Sequence, residues 1–217
     1  GRMMDKMLTT LEAGLPLLSL DLPEKTRQTL CEFGSAVVKQ NEVMNLTAIT
    51  EPDQVAKLHL LDSLTVLKAA DLAGKRVIDV GCGAGFPGVP LGIACPEAKI
   101  TLLDSLAKRM NWLESVLPVL GITNARCVTA RAEEEVTKCR ETYDFATSRA
   151  VARLNILLEL TAPYVRIGGA VLAMKGSAAR EELEEAKNAI SQLGLKLEEV
   201  RDFAIDGAVH SVIVLRK

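Results

Sequence analysis

The sequence predicts an α/β fold: a Rossmann-like, mostly parallel sheet whose last strand is antiparallel, preceded by an N-terminal helical extension. Three observations carry this. From residue 75 onward, short apolar runs alternate with longer amphipathic stretches, the rhythm of βαβ units joined by right-handed crossovers. The first run opens directly into a glycine-rich turn, VIDVGCGAGFPG at 77–88. The chain closes on two strand-like runs with no helix between them. The boundary falls near residue 72, giving an extension at 1–72 and one compact sheet-bearing core at 73–217.

Taken in order, PEKTRQTLCEFGSAVVKQNEVMN at 23–45 places Leu30, Phe33, Val37 and then Val43 and Met44 at helical intervals. In TEPDQVAKLHLLDSLTVL at 50–67, Thr50 and Asp53 form a capping-box-like pair with an early Pro52. One amphipathic helix is expected there, ending near Asp71 to Gly74. The strand candidates of the parallel sheet are RVIDV, KITLLD, ARCVTA, YDFATSR and GAVLAMKG. Between them, SLAKRMNWLESVLPVLG sets Leu106, Met110, Leu113 and Leu117 on one helical face, with Trp112 expected to pack on the sheet. LNILLELTAPYV and SAAREELEEAKNAISQLG supply further helices, the latter with Ser177 as N-cap and Gly194 as C′ residue. LKLEEVRDFAI and HSVIVLRK, joined through Asp206-Gly207, should pair antiparallel.

Composition limits the function classes. With 48% apolar and 25% charged residues the chain can bury a large core without staples. The formal net charge of −2 does not point to nucleic acid, so any RNA contact needs a local basic patch. The five cysteines are scattered and never form CxxC, which argues against a disulfide framework or zinc site and for a reducing, cytoplasmic setting. No metal is expected. No run is apolar for long enough to span a bilayer.

The glycine turn is the most informative stretch. Gly81, Gly83, Gly85 and Gly88 follow a strand and lead into a helix, which exposes backbone N–H groups at a helix start. Gly83-x-Gly85-x-x-Gly88 matches the dinucleotide fingerprint, and Asp104 ends the second strand where a ribose-binding acid belongs. A nicotinamide dinucleotide and S-adenosylmethionine both use such a turn; a purely structural turn is the plain alternative. Three details favour S-adenosylmethionine: Asp79 inside the first strand, the Arg131-Ala132-Glu133 acid after the third, and the reversed strand pair at the end.

At this point the chain resembles a known family. NLTAIT at 45–50, HLLDSL at 59–64, VIDVGCGAGFPGVPL at 77–91, LLDSLAKR at 102–109, RAEE at 131–134, SRAVA at 148–152 and MKG at 174–176 occur together and in order. They resemble the bacterial 16S ribosomal RNA guanine-N7 methyltransferases, the glucose-inhibited division protein B family. The resemblance implies a class I S-adenosylmethionine-dependent methyltransferase fold acting on a guanine of small-subunit ribosomal RNA; the expected partner is that RNA or a ribosomal subunit, and the chain is expected to be a monomer. It implies that Gly81 and Phe86 line the cofactor site. Gly83 and Gly85 would keep the backbone close to the methionyl part, Asp104 would hold the ribose hydroxyls, Ala132 and Glu133 would frame the adenine, and Arg149 would close the methionyl side. Gln40 stands where the family pattern expects tryptophan, and Cys82 where Ser or Thr is commoner.

The residues agree with that chemistry. The fourth strand ends in Thr147-Ser148-Arg149-Ala150, with neither the Asn/Asp-Pro-Pro-aromatic motif of amine methylation nor a cysteine nucleophile. Guanine N7 has an in-plane lone pair and no proton to lose, so no general base or covalent nucleophile is expected. Orientation alone can be worth roughly 7–11 kcal/mol. Lys108, Arg109, Arg131, Arg149, Arg153, Lys175 and Arg180 follow strand C-terminal ends, where they could meet phosphates. Of these Arg131, Arg153 and Lys175, together with His59, are the substrate-binding candidates. Helix packing is the plainer role for His59, and His210 receives none. A small-molecule methyltransferase, a dinucleotide oxidoreductase and a non-catalytic RNA-binding protein stand as alternatives.

Overall fold

The computed structural model describes residues 1–217. All seven apolar runs become strands of one sheet: β1 Arg76–Val80, β2 Lys99–Asp104, β3 Ala125–Thr129, β4 Tyr143–Arg149, β5 Val165–Lys175, β6 Lys196–Ile205 and β7 Ala208–Arg216. Their order across the sheet is β3-β2-β1-β4-β5-β7-β6. Strands β1 to β5 run parallel. β7 is antiparallel to both β5 and β6, so the reversed strand is inserted beside β5 and β6 forms the edge. The β6–β7 turn is tight because Asp206 and Gly207 both take positive φ, 53° and 76°, the twist that a two-residue hairpin needs. Strand order reverses at β1, between β2 and β4, and a ligand crevice is expected outside the carboxyl ends there.

The helices are α1 Arg2–Gly14, α2 Glu24–Gln40, α3 Pro52–Val55, α4 Asp62–Leu64, α5 Val66–Ala69, α6 Gly88–Ala94, α7 Ala107–Val119, α8 Ala132–Cys139, α9 Leu154–Thr161, α10 Ala179–Glu185 and α11 Lys187–Gln192. Strand side chains alternate between two cores, as period-2 geometry requires. Val77, Leu102, Phe145 and Leu172 face a large core that also takes in α1, α2, α6 and α7. Ile78, Leu103, Ala146 and Val171 face a smaller one under α8 to α11. The N-terminal extension thus shares the main core: Phe33 of α2 lies 5.4 Å from the ring of Phe86 and 6.3 Å from that of Trp112. Trp112 packs against this main core, where it stacks with Phe33 of α2.

Several local expectations change. The segment after Thr50 is not one α-helix; between α3 and α4 it widens into a π-helix, Ala56–Leu61. Such wide turns are rare and frequent at functional sites. Thr50 caps nothing: Glu51 is the N-cap, and Pro52 and Asp53 occupy the first turn, where a fixed φ and an acid suffice. Ser177 likewise makes no cap, since the helix begins after Ala178, and the expected single helix breaks at Ala186 into α10 and α11. Gly194 does take the left-handed conformation, φ 70°. Leu106 is the half-exposed N-cap of α7, while Met110, Leu113 and Leu117 are buried. Helix α8 was not legible because its AEEEVTKC sequence buries only Val136.

Candidate active site

The carboxyl ends of β1, β2 and β4 open into a crevice of about 930 Å³. Its nearest wall is the glycine turn. Asp104, at the end of β2, accepts the Gly83 N–H on Oδ2 and the Leu106 N–H on Oδ1, both at 2.9 Å. Gly83 can present that N–H because its φ of 55° is open to glycine. Its missing Cβ would stand 3.8 Å from Arg109 Nη1, with nothing nearer, so the turn leaves open space on the crevice side. Arg109 Nη2 lies 3.4 Å from Asp104 Oδ1.

Behind the turn, Asp79 is fully buried; its Oδ2 accepts the Gly88 N–H at 2.8 Å, which ties the start of α6 to β1. Burial pushes the Asp79 carboxyl up to about 8, against the pull of the Gly88 N–H and Arg149. Asp79 Oδ1 and Arg109 Nε are buried without a hydrogen-bond partner. Cys82, also buried, places Sγ 3.8 Å from Met110 Sδ and is a packing residue.

The opposite wall belongs to the extension. His59, on the π-helix, stacks on Phe86 with ring centroids 4.4 Å apart and planes 4° from parallel. Arg149, at the tip of β4, donates to His59 Nδ1 (2.9 Å), Leu58 O (2.9 Å) and Asp62 Oδ2 (3.1 Å). An arginine only donates, so His59 Nδ1 is the acceptor and Nε2 carries the proton, given to Thr47 Oγ1 at 2.7 Å. Burial and the Arg149 charge lower the His59 pKa to about 4, so the ring is neutral. The other oxygen of Asp62 meets His210 Nδ1 at 2.8 Å.

The far end is apolar, with Leu106, Ala130, Ala132 and Leu160 beside Glu133 and Arg131. Of the sequence-derived candidates, Gly81, Gly83, Phe86, Asp104, Ala132, Glu133, Arg149, His59 and Arg131 all line the crevice. Three do not. Gly85 is a packing position: a Cβ would come within 2.8 Å of Val89 and 3.0 Å of Phe33. Arg153 is forked onto Glu185 at 2.8 and 2.9 Å. Lys175 is buried against Glu182 at 3.1 Å and donates to the Ala152 carbonyl. Arg180 is likewise paired, with Asp202. Sequence reasoning missed Leu46, Leu106, Val151 and Leu160 as lining residues: the first three are single apolar residues in loops or at a helix start, and Leu160, near the end of α9, reads as one more helix-face residue.

Sheet order, glycine turn and crevice together define a class I S-adenosylmethionine-dependent methyltransferase. Among solved structures of that fold, TYW2 of Pyrococcus horikoshii in complex with MeSAdo superposes with a TM-score of 0.59 at 16% identity, over 73% of this chain and 62% of that one. An S-adenosylmethionine-dependent methyltransferase from Aquifex aeolicus gives 0.57 at 18% identity, over 85% and 98%. The family described as rRNA small subunit methyltransferase G, GidB, matches residues 26–209. Proteins named ribosomal RNA small subunit methyltransferase G from Desulfitobacterium hafniense and Caldanaerobacter subterraneus are 43% and 41% identical, covering 91% and 99% of this chain and 83% and 92% of their own length. The chain belongs to this rRNA small subunit methyltransferase G family. No helix is long and apolar enough to cross a membrane.

Proposed function

We propose that this protein transfers a methyl group from S-adenosylmethionine to N7 of a guanine in 16S ribosomal RNA, with the crevice at the tips of β1, β2 and β4 holding both reactants. The residues fit the cofactor. The open cradle over Gly83 and the carboxylate of Asp104 give one end of the crevice an acidic, hydrogen-bonding character. That suits sugar hydroxyls and a cationic methionyl part, and the apolar end with Glu133 suits an adenine whose amine needs an acceptor. Gly81, Gly83, Phe86, Asp104, Ala132, Glu133 and Arg149 would hold it. Bound there, S-adenosylmethionine supplies an electrophilic methyl group.

The observation that carries N7 is the engagement of the groups around the β4 tip. Thr147 Oγ1 donates to Leu172 O and Ser148 Oγ to Val80 O, both at 2.9 Å, while both nitrogens of His59 are occupied. These groups are committed to holding structure. An acceptor that must lose a proton would find no help among them, whereas the N7 lone pair needs only alignment. Phe86, Leu46 and Val151 would exclude water from the reacting face.

The cations left to meet phosphate at the mouth are Arg131, whose side chain is 71% exposed and only 3.6 Å from Glu133, and Lys108. The proposed setting is a monomer working on ribosomal RNA or a ribosomal subunit in the cytoplasm, with family membership supporting the RNA partner. The test is transfer of labelled methyl to small-subunit RNA lacking the modification, followed by mapping. Label at a guanine N7 is expected, and label at an exocyclic amine or on no RNA ends the proposal.

A further inference from the structure

Asp62 joins two parts of the molecule that the methyl-transfer argument leaves separate. One carboxylate oxygen receives Arg149, which lines the crevice, and the other receives His210, on the inserted antiparallel strand β7. His210 does not line the crevice. It touches the site only through Asp62, which is itself buried on the first turn after the π-helix.

The geometry is restrictive. A carboxylate with one partner can swing; a carboxylate held on both oxygens presents one fixed edge. The fixed edge here faces Arg149 Nη1, which also bonds Leu58 O, while Nη2 bonds His59. Arg149 is thereby held 5.4 Å above the Phe86 ring. Phe86 in turn sits between His59 and Phe33. The chain of contacts therefore runs from β7 through the extension to the crevice wall.

We propose that His210 is a positioning residue for the methyltransferase: it fixes Asp62, and through Asp62 it fixes Arg149 where the cofactor and the guanine meet. This deepens the functional reading above and rests on it for the identity of the ligand.

The Asp62 carboxylate, 2.8 Å from Nδ1, stabilises the imidazolium form of His210. The groups facing it are Asp62, Arg149 and Asp206, the last paired with Lys57 at 3.2 Å. The Asp62 hydrogen bond and charge raise the His210 pKa above its ordinary value near 6.5, against burial and Arg149. When His210 loses its proton, a neutral imidazole N–H is left donating to the Asp62 carboxylate, a weaker tether on that oxygen, and Asp62 keeps Arg149 as its one cationic partner. The hold on Arg149 should then loosen without being lost.

Calorimetric binding of S-adenosylhomocysteine from pH 6 to 9 tests this, with circular dichroism to confirm folding. Wild-type affinity should fall as pH rises through the His210 titration. His210→Ala should weaken binding at least about fivefold at pH 6.5, the scale of a modest coupling between sites, and remove the pH step. His210→Gln keeps an N–H donor, so it should recover part of the affinity and lack the His210 step, while any step from the buried Asp79 carboxyl near 8 stays in all three proteins. A folded His210→Gln or His210→Ala protein with wild-type affinity and a wild-type pH profile overturns the proposal. Wild-type binding without methyl transfer to RNA would instead sink the substrate assignment and leave this inference standing. Absence of wild-type binding would sink both.

Discussion

Gly83 donates its backbone N–H to Asp104 across 2.9 Å, so the turn after β1 is pinned to the tip of β2 by the same carboxylate that faces the crevice. That carboxylate is 8% exposed and holds a second N–H, from Leu106. Substitution of Asp104 should therefore act on both binding and stability. Asp104→Ala leaves two N–H groups short of an acceptor, at about 1–3 kcal/mol for each that stays buried. Asp104→Asn keeps one acceptor oxygen, so it should cost less stability yet still weaken S-adenosylhomocysteine markedly. Urea denaturation and calorimetry on the two variants separate the effects; equal affinity in Asp104→Asn and wild type would contradict the ribose assignment.

Asp79 predicts a trade between stability and function. Its carboxyl is raised to about 8 by burial, against an ordinary value of 3.8. Between those values the folded state holds a proton that the unfolded state has released. Stability is therefore lost as pH climbs from about 4 to 8, and the loss is complete above 8. Asp79→Asn keeps an acceptor for the Gly88 N–H and carries no charge. It should raise the melting temperature at pH 8 and converge on wild type near pH 4. Loss of the acid beside the turn should at the same time weaken cofactor binding. A variant less stable than wild type at pH 8 would show that the carboxylate is better accommodated than its burial suggests.

His59 makes the opposite pH prediction. Its folded pKa of about 4 lies below the ordinary 6.5, so the unfolded state binds the proton more readily. Its contribution to stability is complete above about pH 6.5 and declines as pH falls toward 4. His59→Gln should flatten that acid limb. Because His59 is neutral with both nitrogens engaged, it should impose no limb on methyl transfer between pH 7 and 9. A log-linear fall in kcat tracking its titration would overturn its reading as a wall residue.

What the sequence conveys is local. The glycine turn, Asp104 and the Ala132-Glu133 pair lie within short motifs: spacing marks the turn, Asp104 and Glu133 as a nucleoside-site pattern, and the family resemblance adds the role of Ala132. The alternation of runs likewise yields every strand. What it does not convey is pairing between distant residues: Arg149 and Asp62 are 87 positions apart, and His210 and Asp62 are 148 apart. No pattern in one chain predicts that β7 brings a histidine to the π-helix. The same blindness affects charge. Arg153 and Lys175 do stand near strand ends, but their partners Glu185 and Glu182 sit in an acidic run that reads as a solvated helix face.

Phe33 tests whether the extension belongs to the site or merely covers it. It is completely buried and packs on Phe86. Phe33→Ala should cost about 3–5 kcal/mol, the usual range for emptying a large aromatic site. Phe33→Leu should cost less and still lower kcat, because Phe86 would lose one of its two flanking rings. Normal turnover in a folded Phe33→Leu protein would detach α2 from the function.

The cations near the crevice should divide by their partners. Arg131 is 71% exposed and loosely paired, so Arg131→Ala should weaken RNA binding and lower the slope of log K against log salt by about 0.7–0.9, one phosphate contact. Arg153→Ala should leave that slope unchanged, since Glu185 already occupies its guanidinium. Lys175 differs from both. Its amine and the Glu182 carboxylate are 8% and 10% exposed, and Glu182 also accepts the Leu154 N–H that starts α9. Lys175→Met would leave a nearly buried carboxylate without its cation, a loss of about 3–5 kcal/mol. Lys175→Met paired with Glu182→Gln should regain most of that, because the glutamine still accepts from Leu154. If the double variant is stable but binds RNA less tightly than wild type by a full salt-slope unit, Lys175 reaches phosphate after all. If it is stable and binds normally, Lys175 is a bracket between β5 and α9, and Arg131 with Lys108 carries the RNA contact at the mouth.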